Sequence, residues 1–238
     1  KTLLNVGARF DRYSEWGGTS NPRVALIHKL NPETTAKLMY GRAFRAPSPY
    51  ELYYTPSPWL VPETISTTEL ALDYNLRRNL RLVGSLYHYE VHDLINQQPD
   101  FTFRNTGDTR ATGAEVGLEG RWFGVLEGRA SYAFQQVEDV STGDRLSNSP
   151  QHLAKLGMHY PFWRDRLVAG MELHYMSRRY TLSGAQTDST LLGNFTLLAR
   201  GWVRGLEFSV SVYNIGDTEY VDPGGVEHFM DTIPQDGR

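Results

Sequence analysis

The chain has 238 residues, with 24 Lys and Arg against 27 Asp and Glu for a net charge of −3, 40% hydrophobic residues, 22 Gly and no Cys. That length supports a full core, while the lack of cysteine excludes a disulfide framework, a thiolate metal site and a cysteine nucleophile. Mixed, near-neutral charge excludes the basic stripe of a nucleic-acid binder, and at a mean hydropathy of −0.45 no apolar run reaches the roughly 18 residues of a spanning helix.

In place of helical periodicity the chain shows strict apolar–polar alternation over about ten residues, the pattern of a strand with two unlike faces. Weaker examples come first, near residues 2–12, 22–30, 35–45, 65–76 and 80–93. The clearest follows: Ala114, Val116, Leu118, Gly120 and Trp122 on one face, Glu115, Gly117, Glu119 and Arg121 on the other. Leu126, Gly128, Ala130, Tyr132 and Phe134 then oppose Glu127, Arg129, Ser131, Ala133 and Gln135. After a weaker stretch near 152–160, Leu167, Ala169, Met171, Leu173 and Tyr175 oppose Val168, Gly170, Glu172 and His174. Another weak stretch near 190–200 leads to Leu206, Phe208, Val210 and Val212 opposing Glu207, Ser209, Ser211 and Tyr213. The pattern predicts an all-β, antiparallel up-and-down barrel of about eleven strands.

The connections sharpen this. Expected long loops at Tyr13–Asn21, Ala46–Glu63, 94–109, 137–150 and 177–189 alternate with tight turns. The turns fall at Asn31-Pro32-Glu33, Arg77-Arg78-Asn79, Phe123-Gly124, Pro161–Asp165 and Val203-Arg204-Gly205, and a long tail begins at 214. Consecutive connections of an up-and-down sheet lie at opposite ends, so one end carries the short turns and the other the long loops, as in outer-membrane barrels. Trp122-Phe123, Phe162-Trp163 and Trp202 fall at the short-turn end. Tyr87, Tyr89, Tyr132, Phe134, Tyr175 and Tyr180 fall toward the other, giving two aromatic girdles. A soluble sandwich or barrel also alternates, with shorter strands and less ordered loop lengths. Lys1 starts almost inside a strand and Pro234–Arg238 reads as a turn, so the chain is expected to be a piece of a larger barrel.

Several segments resemble the TonB-dependent receptors of the Gram-negative outer membrane. Phe44-Arg45-Ala46-Pro47-Ser48 followed by Tyr50-Glu51-Leu52-Tyr53 resembles that family's FRAPS…EL segment. Asn105-Thr106-Gly107 leading to Gly113-Ala114-Glu115-Val116, Ser149-Pro150-Gln151-His152, and Tyr213-Asn214-Ile215-Gly216-Asp217-Thr218-Glu219-Tyr220 are similar to three further family elements. The resemblance implies residues 1–238 as the C-terminal part of a transmembrane barrel of about 22 strands, with the plug, the first strands and the final strand absent. It further implies uptake of a scarce nutrient, a ferric siderophore, haem or cobalamin, with no enzyme activity and no resident cofactor. The implied partners are TonB through an N-terminal region, the plug, outer-membrane lipid and a small-molecule ligand, with no nucleic acid among them.

Candidate residues fall in two sets. Tyr50, Tyr53, Tyr54 and Trp59, set among prolines in the loop 46–63, offer rigid aromatic area to a ligand or pack the loop onto the rim. Phe101 has the same two readings, Arg104 suits an anionic ligand, and His228 near Glu227 and Asp231 is a weak candidate for iron or haem contact, or simply a solvated loop residue. Glu115, Glu119, Arg121, Glu127, Arg129 and Glu172, with Glu69, Asp73 and Glu207, form a polar wall that docks a plug or is simply solvated. Glu115 and Glu119 stand about 13 Å apart along the strand, too far for a paired acid and base, and the same spacing keeps His88 and His92 from sharing a metal. Two alternatives remain: a passive porin or adhesin, and a barrel hydrolase, for which Ser177, His174 and Asp188 are the loosely clustered residues.

Overall fold

The computed structural model describes residues 1–14, 17–55, 60–98, 100–163 and 166–238. In chain order it contains β1 (Thr2–Tyr13), β2 (Gly17–Lys29), β3 (Thr34–Arg45), a short helix α1 (Pro49–Tyr54), β4 (Glu63–Arg77), β5 (Leu80–Gln97) and β6 (Phe103–Trp122). Then come β7 (Leu126–Asp139), β8 (His152–Phe162), β9 (Leu167–Met176), β10 (Thr190–Val203) and β11 (Leu206–Val212). These eleven strands form one sheet in which each lies beside its neighbour in sequence. A second, two-stranded sheet pairs β12 (Val221–Pro223) with β13 (Thr232–Pro234).

Strand number and order agree with the alternation pattern, but the loop-end boundaries do not. Tyr13 pairs with Gly17, so most of the expected Tyr13–Asn21 loop is strand. The loop expected at 94–109 shrinks to 98–102, because β5 runs to Gln97 and β6 starts at Phe103. There Asp93 adopts a left-handed φ of 60° and donates its N–H to Asp108 Oδ1 at 3.0 Å. The irregularity lets pairing continue through residues polar on both faces, which carry no alternation to read. Helix α1 was also absent from the strand-only reading. Long connections persist at 46–62, 140–151 and 177–189.

Packing divides the chain into two units, Lys1–Leu72 with Ser85–Gly113 and Gln136–Arg145, and Asp73–Gly84 with Ala114–Gln135 and Leu146–Arg238. In the first, antiparallel register aligns Leu4 with Leu26 and Leu38, and Val6 with Val24 and Tyr40. In the second, one row runs Gly128, Met158, Met171, Phe195, Val212, and another runs Tyr132, Ala154, Tyr175, Leu191. Their polar counterparts run Arg129, Gly157, Glu172, Asn194 and Ser131, Lys155, His174.

The apolar face is the more exposed one. On β4, Leu70 and Leu72 are 49% and 43% exposed, whereas the Asp73 side chain is 22% exposed. Among the described residues only Leu60, Phe103 and Ala111 are buried hydrophobics. Water-soluble sheets bury such rows, so rows of Leu, Val, Met and Phe left outward demand an apolar solvent. The short turns suit the strands they join. Phe123 and Gly124 both take positive φ, 53° and 75°, and Val125 N–H donates to the Trp122 carbonyl at 3.1 Å. This is the twist-matched two-residue hairpin turn.

Candidate functional site

The loop 46–62 owes its form to the residues that open it. Pro49 disfavours a helical conformation at Ser48, which sits extended at φ −74° and ψ 159° and caps the helix that Pro49 starts. The Glu51 N–H donates to Ser48 Oγ at 3.3 Å, and the Ser48 N–H donates to Glu51 Oε2 at 2.6 Å, a reciprocal capping box. Six residues are too few to hold a helix in water by themselves. Arg45 supplies the remainder. Its guanidinium reaches Glu51 at 3.1 and 3.0 Å and Glu63 at 2.5 and 2.7 Å, four charge-assisted contacts from one side chain.

Further contacts fasten the loop to β5 and β6. Ile95 N–H donates to Glu63 Oε1 at 2.8 Å, and Phe103 N–H donates to Thr55 Oγ1 at 2.7 Å. Asn105 accepts from Val61 N–H at 2.9 Å and donates to the Val61 carbonyl at 2.9 Å and the Asp93 carbonyl at 2.6 Å. Leu60, fully buried, anchors the end of the loop. The clasp lies beyond Tyr40 and Leu70, the last strongly exposed apolar residues of β3 and β4 on that side. Partial burial alone would raise the Glu51 and Glu63 carboxyls. The Arg45 guanidinium outweighs it, helped by Ser48 at Glu51 and Ile95 N–H at Glu63, and holds both below the usual carboxylate range. Hydrogen bonds to Glu63 and then Glu51 raise Arg45 in turn.

Helix α1 carries a ring cluster. Tyr50 meets Tyr54 at 5.0 Å and Phe103 at 5.8 Å, and Tyr53 meets Tyr54 at 5.2 Å, all edge-to-face. Tyr53 is 79% exposed, and Tyr50 and Tyr54 are exposed as well. Trp59 lies outside the described residues. Phe101 and Arg104 are exposed on either side of the buried Phe103, and Phe101 has a positive φ of 65°. His228 belongs to the other unit, with Nδ1 3.2 Å from Glu227 Oε1. Asp231 is engaged elsewhere, accepting from Ser183 Oγ at 2.7 Å. No group of three or more metal-ligating side chains occurs among the described residues.

The second set of candidates shares the polar face of its strands. A depression of about 420 Å³ is lined by Arg81, Glu119, Arg129, Lys155, Glu172 and His174 among others. Arg81 bridges Asp73 and Glu119, each at 2.7 Å, Arg121 pairs with Glu127, and His174 lies 3.9 Å from Glu172. Glu115 is exposed on β6, Glu207 stands opposite Arg200, and Glu69 lines another recess with Asn5 and Arg23. Pairs this exposed contribute at most about 1 kcal/mol each, so the wall's charge pattern matters for what docks against it more than for stability.

Comparison with known proteins decides the family. Residues 1–215 match the model of the TonB dependent receptor-like β-barrel. The chain belongs to the TonB-dependent receptor β-barrel family. It is similar to the vitamin B12 transporter BtuB of Vibrio cholerae, 29% identical over 158 residues, covering 64% of this chain and 25% of that protein. It is also similar to the catecholate siderophore receptor Fiu of Escherichia coli K12, 24% identical over 178 residues, covering 67% of this chain and 23% of the relative. The chain thus spans about a quarter of the length of these relatives. Among solved structures, the siderophore receptor PiuA of Acinetobacter baumannii aligns over 100% of this chain and 39% of its own, with a TM-score of 0.80 at 16% identity.

As part of a TonB-dependent receptor barrel, the chain belongs in the outer membrane of Gram-negative bacteria, and the outward apolar rows are its lipid face. No helix is long and apolar enough to cross a membrane, which has no bearing on a barrel that crosses with strands. The receptors matched are transporters rather than enzymes. The buried Ser177 Oγ accepts from His152 N–H at 3.0 Å, and no hydrogen bond joins Ser177 to His174 among the described residues.

The roles of three residues, Arg45, Glu63 and Arg179, escaped the sequence reading. Arg45 and Glu63 meet across 18 positions. Arg179, its side chain 7% exposed, donates to Asn148 Oδ1 at 2.9 Å, to the Val221 carbonyl at 3.2 Å and to Asp222 Oδ1 at 2.5 Å. Only the Arg45–Ser48 motif carried a local signal.

Proposed function

We propose that this chain is part of the wall and ligand side of a TonB-dependent uptake receptor whose cargo is a metal chelate or cobalamin. The observation that carries the reading is the clasped helix α1, with Tyr50, Tyr53 and Tyr54 exposed at the loop end of a barrel of this family. Rigid aromatic rings on an anchored loop offer a large contact area at small entropic cost. Phe101, Arg104 and Trp59 are proposed as further ligand contacts, Arg104 toward an anionic group, and His228 as a separate contact candidate of the second unit. Glu115, Glu119, Arg121, Glu127, Arg129 and Glu172 form the lumen wall against which a plug docks. Its mixed charge suits a partner that must both hold and shift. TonB acts through the N-terminal region of the full-length receptor, and ligand passes when the plug moves.

The test is uptake by a strain whose only receptor of this kind is the full-length protein, supplied with cyanocobalamin or ferric catecholate, with and without TonB. Accumulation that needs both receptor and TonB supports the reading. Accumulation that continues without TonB contradicts it, as steady ion conductance through the purified receptor would.

A further inference from the structure

Helix α1 has little reason to exist by itself. Its six residues close few helical hydrogen bonds, and they expose Tyr50 and Tyr53 while burying the carboxylate-bearing Glu51. Unwinding would free the rings and rehydrate the acid. One side chain opposes this. Arg45, at the end of β3, grips Glu51 inside the helix and Glu63 at the start of β4 at the same time. The planar guanidinium suits two carboxylates on different edges, and a lysine ammonium does not reproduce that fork. The far end of the helix is fixed where Phe103 N–H meets Thr55 Oγ1 and the Phe103 ring meets Tyr50.

Resting on the reading of α1 as a ligand-contact element, we infer that Arg45 is the positioning residue of the tyrosine helix. It holds Glu51 to Glu63 so that Tyr50, Tyr53 and Tyr54 stand as a preformed surface, and no ligand is needed to order them. This gives a physical role to the Phe44–Ser48 motif: Arg45 clasps, Ser48 caps, and buried Pro47 sets the path between them. Preforming the surface removes the ordering cost from binding and should act on affinity, leaving later steps of transport unchanged.

The experiment uses the full-length receptor. Hydrogen exchange of residues 48–55 is followed in detergent, and uptake kinetics are measured with cyanocobalamin and ferric 2,3-dihydroxybenzoate as probes. In Arg45→Met and Arg45→Lys, exchange at 48–55 should accelerate at least about tenfold while residues 126–135 of β7 keep the wild-type rate. KM for the probe carried by the wild type should rise roughly tenfold with the maximal rate unchanged. Wild-type exchange at 48–55 in Arg45→Met would overturn the clasp, and accelerated exchange with an unchanged KM would overturn the positioning role. Should β7 accelerate too, Glu63→Gln, which keeps the side-chain shape, decides the same two questions. A wild-type receptor that carries neither probe counts against the uptake reading, and the exchange data then decide the clasp by themselves.

Discussion

Glu51 and Glu63 show how one residue's charge state governs a loop. Both carboxyls are held below the usual carboxylate range, burial being outweighed by the Arg45 guanidinium. Groups lowered on folding contribute their stability above the unfolded value, and that contribution is lost as pH falls through the folded values. Protection of α1 should therefore be constant from neutral pH down to the ordinary glutamate value of about 4.3 and be lost only at pH below it, a profile read by hydrogen exchange at residues 48–55. Leu60 secures the loop by packing, and Leu60→Ala should cost about 2–5 kcal/mol of local stability, seen as faster proteolytic nicking between residues 46 and 62. At this scale the sequence was half legible. Ser48-Pro49 and Glu51 three residues on carry the signature of a cap that the loop reading passed over, whereas Glu63 and Asn105 reach the loop only through the sheet. The Arg179 side chain has no local pattern at all, because its partners lie 31 to 43 positions away.

Strands and turns follow simpler rules. An outward residue in the apolar rows faces lipid, so Leu72→Arg should destabilise the full-length barrel by about 2–4 kcal/mol in lipid vesicles, against less than about 1 kcal/mol for Thr68→Arg nearer the loop end. Denaturant titration monitored by tryptophan fluorescence gives both numbers. Gly124 takes a φ of 75° in the Trp122–Val125 turn, and Gly124→Ala should cost about 1–2 kcal/mol by the same measurement. Elements were legible wherever one face was apolar. Alternation located β7, β9 and β11 within a few residues because lipid imposes it. It missed the last residues of β5, 94–97, and the first of β6, 103–113, where polar residues such as Asn96 and Thr106 hydrogen-bond to each other and the alternation fades.

For the whole molecule, the apolar face of the strands meets lipid while the opposite face carries the charged wall. Strand count and order in the large sheet were readable from the period, and so were the long connections at 46–62, 140–151 and 177–189, whereas the loops expected at Tyr13–Asn21 and 94–109 shortened. The cargo was not, because the proposed contact residues sit in loops whose form depends on distant partners. The chain contributes no cysteine, which makes single-cysteine labelling clean within it. The most direct measurement places one cysteine at a time from residue 68 to 76 of β4 in the full-length receptor in lipid vesicles. Each is then spin-labelled and its collisions with oxygen and with a water-soluble nickel chelate are compared. The account expects a two-residue period, with Leu70, Leu72, Tyr74 and Leu76 favouring oxygen and Glu69, Ala71 and Asp73 favouring the chelate. Uniform access to the chelate, or the opposite phase, would contradict it.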